Sequence, residues 1–311
     1  MGLLLPCLVF CLGLVGLYYS AEFLVDGAVG LARRLSMSPL VIGLTVVAVG
    51  TSAPEMAVSV MASLGGKQGI ALGNVVGSNI ANIGLVLGTA LAIHPIRAHR
   101  RVRAVEIPLL TVVTLSLTGL AWWGGVPRAA GTLLVLAFLL YCLALYRYTS
   151  QEQLPDSGAG EGRPPLLGPL AATLGGLAGL VASSKAMVWG GASLASALGV
   201  SQLVIGLTIT AVGTSLPELA TSVAAARRGH GDLVMGNVVG SNVANSTLVL
   251  GLAALCRPIS IARETLLRDF LSMTGLTLLL MAGALYPGRL GRRAGLALLA
   301  LYAGYIALLC R

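Results

Sequence analysis

The sequence predicts an all-α polytopic membrane protein, with ten transmembrane helices arranged as two inverted five-helix repeats. Three observations predict it. The 311 residues are 56% hydrophobic and only 10% charged, with a mean hydropathy of +0.90; soluble domains carry about 25% charged residues. Apolar stretches long enough to cross a bilayer recur along the whole chain. One motif also occurs twice, 163 residues apart: Gly-Thr-Ser-x-Pro-Glu at Gly50 to Glu55 and at Gly213 to Glu218.

The spans read as roughly 3–32, 40–64, 69–93, 105–124, 129–147, 167–198, 203–226, 231–255, 267–286 and 294–310. The first and sixth exceed the bilayer thickness and must tilt or bend. Residues 1–20 have the hydropathy of a signal peptide but lack its basic start and small-residue cleavage site. The apolar run continues through Glu22 and Asp26 to about Arg33, so it reads as a retained first helix. Residues 149–165 are polar and rich in Gly and Pro, which makes them a flexible linker. The linker divides the chain into repeats 1–148 and 166–311.

Aligning 40–88 with 203–251 needs no gap and leaves 31 of 49 positions identical. Five helices is an odd number, so the second half must enter the membrane upside down relative to the first. Inverted repeats of this kind place a binding site at the midplane, where the halves meet.

The formal net charge of +9 does not indicate a nucleic-acid surface, because the basic residues lie in short connections between apolar runs. There they act as topology signals. Thirteen arginines fall on one set of connections and six Lys or Arg on the other. The richer set, with the midpoint linker, is expected in the cytoplasm, both termini outside, and the whole in the cell (inner) membrane. The five cysteines, Cys7, Cys11, Cys142, Cys256 and Cys310, show no metal or disulfide spacing. No nucleophile and base are paired, so neither an enzyme, a cofactor nor an obligate protein partner is expected.

A carboxylate inside an apolar span is costly and marks function. Glu55 and Glu218 each follow a proline by one residue, and a proline there frees backbone acceptors one turn earlier. Each motif is followed by Gly-Asn-Val-Val-Gly-Ser-Asn-x-Ala-Asn, at Gly73 to Asn82 and Gly236 to Asn245. Ser78 and Asn82 share one helix face, as do Ser241 and Asn245. The glycines at 73, 77, 236 and 240 would allow close helix approach. Carboxylate, amide, hydroxyl and backbone oxygens suit hard cations such as Ca²⁺ and Na⁺.

These paired signatures resemble the alpha repeats of the Na⁺/Ca²⁺ exchanger family, within the cation/Ca²⁺ antiporter superfamily, and most closely its compact prokaryotic members. The resemblance spans the ten-helix plan. It implies alternating access, with Na⁺ and Ca²⁺ competing for one cluster. Glu55 and Glu218 resemble the central acids. Thr51, Ser52, Thr214 and Ser215 resemble the ligands beside them, and Ser78, Asn82, Ser241 and Asn245 those on the facing helices. Ala48 and Ala211 resemble backbone-carbonyl donors. Some members, including K⁺-dependent ones, have aspartate where this chain has Asn245, which argues against K⁺ dependence here. The linker holds no large regulatory domain, so no cytosolic Ca²⁺ sensor is expected.

Na⁺-driven Ca²⁺ exchange across the membrane is therefore the expected activity. A Ca²⁺/H⁺ antiporter and a passive cation channel stand as alternatives. Other charges carry weaker signals. Glu22 and Lys185 are equivalent at the 163 offset; they read as a salt bridge that forms or breaks between states, or else as a static neutralisation or a snorkelling lysine. Glu106 and Asp269 are expected as interfacial partners of Arg103 and Arg268.

Overall fold

The computed structural model describes residues 3–151, 165–199, 211–285 and 290–309, without the side chains of 149–151 and 211. It is helical almost throughout. The helices are α1 (Leu4–Leu35), α2 (Pro39–Thr51), α3 (Ala53–Leu64), α4 (Gln68–Ile93), α5 (Val102–Trp122), α6 (Arg128–Gln151) and α7 (Leu167–Ala197). They continue as α8 (Ala211–Thr214), α9 (Leu216–Arg227), α10 (Gly231–Cys256), α11 (Arg263–Leu285) and α12 (Arg292–Leu309). Shifting α3 and α4 by 163 residues reproduces the bounds of α9 and α10.

Among the described residues, eight helices are long and apolar enough to cross a membrane, and nine spans result if α2 and α3 count as one. The predicted span 203–226 lies partly outside the described residues. Local chemistry sets the breaks. Ser36 ends α1 in the left-handed conformation. Ser38 then caps α2, accepting from the Val41 amide, with Pro39 at the first helical position. Between α2 and α3 the axis bends by 44°. Ser52 leaves helical geometry there (ψ 5°), and Pro54 opens α3.

Helices α4 and α10 form the centre. Their apolar windows are 72% and 83% buried, against 22% for α1, α6, α7 and α12. The outer helices turn Leu4, Leu12, Phe23, Leu133 and Leu140 outward, as lipid-facing surfaces do. Helices α1 and α7 cross at glycines. A Cβ on Gly13 would stand 2.7 Å from the Met187 nitrogen, and one on Gly190 2.8 Å from the Phe10 nitrogen. Backbone contact of this kind is how helices associate in lipid.

The loops knit the two ends of the bundle. At one end Ile96 exchanges backbone hydrogen bonds with Leu290 (3.0 and 2.8 Å), and Gly231 packs on Ile96. At the other, β1 (Gly125–Val126) pairs antiparallel with β2 (Ile259–Ser260), and Gly66 lies against the Arg257 guanidinium. Helix α4 therefore runs from the Gly66 end to the Ile96 end, and α10 runs the opposite way.

Two expectations about charges are corrected. Glu106 is fully buried rather than interfacial, and its partner is Arg101 (2.7 Å), not Arg103. Residues 102–106 form a π-helical turn, and π spacing brings a residue into line with the fifth one on, not the third. The Tyr141 hydroxyl donates to the other Glu106 oxygen (2.8 Å). Glu22 does not meet Lys185, which is exposed. Arg228, at the end of α9, forks between Glu22 and Asp26, one turn apart on α1. Asp269 does pair with Arg268 (2.7 Å) and also accepts from Tyr305 (3.3 Å).

Candidate cation site

The two Thr-Ser-x-Pro-Glu stretches build the site through one local device. Ser52 (φ −80°, ψ 5°) and Ser215 (φ −87°, ψ 4°) each interrupt a helix. Their backbone lies in the sparsely populated bridge region, where active-site residues are frequent. Pro54 and Pro217 then occupy the first turn of α3 and α9, where a missing N–H costs nothing. The break turns each glutamate into the bundle, and Glu55 and Glu218 are both 0% exposed.

Each acid is held by the serine that precedes the other acid's proline. The Ser52 hydroxyl donates to Glu218 Oε1 (3.1 Å), and the Ser215 hydroxyl to Glu55 Oε1 (3.5 Å). Ser78 on α4 also donates to Glu55 Oε1 (3.4 Å). This crossed pattern draws both carboxylates into one cluster. The second oxygen of each, Oε2, is buried without a hydrogen-bond partner. Charged oxygens left so are strongly unfavourable unless a cation answers them.

Beside the acids lies a second group of oxygens. The Thr51 hydroxyl donates to the Ala48 carbonyl (3.3 Å) and to Asn237 Oδ1 (3.2 Å), and lies 3.5 Å from Ser241 Oγ. Ser241 also donates to the Ala48 carbonyl (3.3 Å). That carbonyl further accepts the Ser52 amide (3.1 Å), so it is shared rather than freed by Pro54. On the matching side Thr214 donates to Asn74 Oδ1 (3.3 Å). Ala211 opens α8, but its side chain is outside the described residues.

Asn82 and Asn245 each begin a π-helical segment, Asn82–Leu87 and Asn245–Val249; such segments are frequent at functional sites. Asn82 Nδ2 donates to Asn242 Oδ1 (3.0 Å). Asn82 Oδ1 and both amide atoms of Asn245 are buried without partners.

The structure adds residues that sequence reasoning missed. Asn74 donates to the Glu55 carbonyl (3.1 Å) and to Ser59 (3.0 Å), and Asn237 donates to the Glu218 carbonyl (3.2 Å) and to Ser222 (3.0 Å). These asparagines clamp the backbone of each acid to the facing helix. The signal was present: 74, 78 and 82 recur every fourth residue on one helical face. Asn79 and Asn242 join the repeats, with Asn79 donating to Ser246 (2.8 Å) and Asn242 to the Asn79 carbonyl (3.3 Å). A Cβ on Gly236 would fall 2.7 Å from the Leu40 carbonyl and one on Gly240 2.8 Å from Leu44 Cα, the close approach expected of them. The positions that would face Gly73 and Gly77 at the 163 offset, 203–207, lie outside the described residues.

Every donor in this cluster is oxygen or amide, and two are carboxylates. That set suits a hard cation and offers nothing to a soft one.

The family described as sodium/calcium exchanger protein matches residues 5–147 and again 169–311. CaxA of Alkalimonas amylolytica is 40% identical over 314 residues, covering 96% of both chains. The sodium/calcium exchanger MaX1 of Methanosarcina acetivorans is 32% identical over 342 residues, covering 97% of both. Among solved structures, the sodium-calcium exchanger NCX_Mj soaked with 10 mM Na⁺ and 10 mM Sr²⁺ agrees with a TM-score of 0.87 at 34% identity, over 98% of each chain. The matches run the length of both halves, and the chain belongs to the sodium/calcium exchanger family, as a membrane-embedded cation/Ca²⁺ antiporter.

Proposed function

We propose that the coupling ion is Na⁺, and that one site serves both ions in turn. The observation that carries this is the crossed pair of acids. Glu55 and Glu218 each keep one oxygen on a serine of the other motif and one buried oxygen without a partner. Two negative charges balance one Ca²⁺, or two Na⁺. Thr51, Ser52, Ser78, Asn82, Ala48, Thr214, Ser215, Ser241, Asn245 and Ala211 complete the proposed set. Neutral asparagine at both 82 and 245 leaves any further Na⁺ without a carboxylate of its own. A fully Na⁺-loaded site would then carry excess positive charge, and exchange would be electrogenic.

The proposed architecture is ten spans in two inverted repeats, 1–148 and 166–311, joined by a linker at 149–165. What supports it is the doubled family match, the opposite course of α4 and α10, and the reciprocal loop pairs. Ile96 and Ile259 are equivalent at the 163 offset, and each pairs with a residue near the start of the other half's last helix. The arginine bias supports placing the Ile96 end and the linker in the cytoplasm of a cell whose inner membrane holds the protein.

The test is radiolabelled Ca²⁺ uptake by proteoliposomes loaded with Na⁺, with K⁺, or with an acid interior. Uptake driven by internal Na⁺, increased or decreased by a K⁺/valinomycin potential and indifferent to K⁺, is the expected result. Uptake that follows the pH gradient without Na⁺ would assign H⁺ as the coupling ion. Exchange blind to the potential would fix two Na⁺ per Ca²⁺.

A further inference from the structure

An apolar cavity of about 230 Å³ opens between α1, α7 and α9. Its walls are Leu17 and Ala21 of α1, Met187 of α7, and Leu216, Leu219 and Val223 of α9. No polar group lines its interior beyond the charged mouth, and a cavity of that kind does not hold ordered water. It lies within helices whose outer faces meet hydrocarbon, so what can enter is hydrocarbon. A protein segment fits poorly, because its backbone polar groups would find no partners there.

The mouth is charged and asymmetric. Glu22 and Asp26 are both engaged by Arg228. Arg227 also lines the mouth, is exposed, and lies over the Tyr18 ring at 5.7 Å. Its guanidinium meets no carboxylate within ion-pair distance among the described residues. Arg33 and Arg34 stand at the same end, in the last turn of α1. Arg33, Arg34, Arg227 and Arg228 stand against Glu22 and Asp26, which leaves this end with a surplus of arginine, and basic pockets between membrane helices on the cytoplasmic side recruit anionic head groups.

We propose that this cavity is a phospholipid site, in which one acyl chain fills the space between α1, α7 and α9 and an anionic head group docks on Arg227. The surplus of arginine at this end, with Arg227 the one at the mouth that meets no carboxylate among the described residues, commits the occupant to an anionic bilayer lipid. The choice of leaflet rests on the orientation proposed above; the binding does not. Leu216 and Leu219 flank Pro217 and Glu218 in sequence, so an acyl chain in the cavity presses on the turn that carries the second acid. Occupancy thereby bears on transport without touching the ions.

The test uses the full chain purified from nanodiscs containing phosphatidylglycerol and phosphatidylcholine in equal amounts. Retained lipid is weighed by native mass spectrometry. Wild type should retain phosphatidylglycerol over phosphatidylcholine by about fivefold, the value of one well-placed arginine. Arg227→Gln should bring that ratio close to one while an acyl chain is still retained. Ala220→Phe, which intrudes on the cavity wall, should remove the retained lipid itself. Arg227 is exposed, so its variant reports even if the phenylalanine variant does not fold. Lys67→Gln, at the opposite end of the bundle, should change nothing. Equal retention of both lipids by wild type overturns the proposal. So does an unchanged ratio in Arg227→Gln, or the same loss in Lys67→Gln. Because the readout is bound lipid and not flux, it stands or falls separately from the choice of coupling ion.

Discussion

The two copies of the acid motif have nearly the same sequence and unequal surroundings. In the second copy Asn237 is fully buried, and its Oδ1 accepts from Thr51, also fully buried. In the first copy Asn74 is half-buried, as is Thr214, which donates to it. Gly236 and Gly240 are pressed against α2 at Leu40, Gly43 and Leu44. The residues that match Leu40, Gly43 and Leu44 at the 163 offset are 203, 206 and 207, which lie outside the described residues, so the contrast rests on the two asparagines and the threonines that donate to them.

The largest expected effect tests whether the halves are equal where charge is concerned. Glu55→Gln and Glu218→Gln should each reduce Ca²⁺ transport to the background of empty liposomes, while both variants still insert and elute as folded protein. Each amide keeps the volume and removes half of the charge that a divalent ion needs in a low-dielectric site. Substantial flux in one variant alone would mean that a single acid carries Ca²⁺, and that the crossed serines only look symmetric.

Much of this comparison was legible in the sequence. The repeat, the spans and the two acids all follow from apolar runs broken at matching places, because a glutamate after a proline has few other reasons to stand in lipid. The crossing was not legible. Nothing in the spacing of Ser52 and Glu218 says that they touch (3.1 Å), because contacts across repeats depend on how helices pack, not on periodicity within one. Arg101 and Glu106 were misread for a different reason. An α-helical register points Glu106 at Arg103, and only the π turn at Val102–Glu106 realigns it with Arg101. Glu22 was matched to Lys185 by offset alone, and the close crossing of α1 and α7 leaves Glu22 facing Arg228 on α9 instead.

Smaller effects test the close packing of α10 on α2. Gly236→Ala sets a methyl group 2.7 Å from a backbone carbonyl, and Gly240→Ala sets one 2.8 Å from a backbone Cα. Backbone cannot give as a side chain can, so each should cost about 1–3 kcal/mol and lower the thermal midpoint in detergent. Unchanged midpoints in both variants would show that α10 does not approach α2 this closely.

The smallest effect concerns the asparagine clamps, and it asks whether water reaches one half of the site. Asn74 and Asn237 make matching bonds, to a glutamate carbonyl (3.1 and 3.2 Å) and to a serine (both 3.0 Å). Asn237→Ala leaves the Glu218 carbonyl and the Ser222 hydroxyl short of a partner in a dry interior, a penalty of about 1–3 kcal/mol. Asn74→Ala removes the same bonds where the side chain is half-buried, and a water bridging the gap recovers most of what is lost. The second variant should therefore unfold close to wild type, and the first several degrees lower. Amide exchange should divide the same way, faster in the turn around Glu218 for Asn237→Ala and little changed around Glu55 for Asn74→Ala. If both clamps cost the same, the two sides are equally dry.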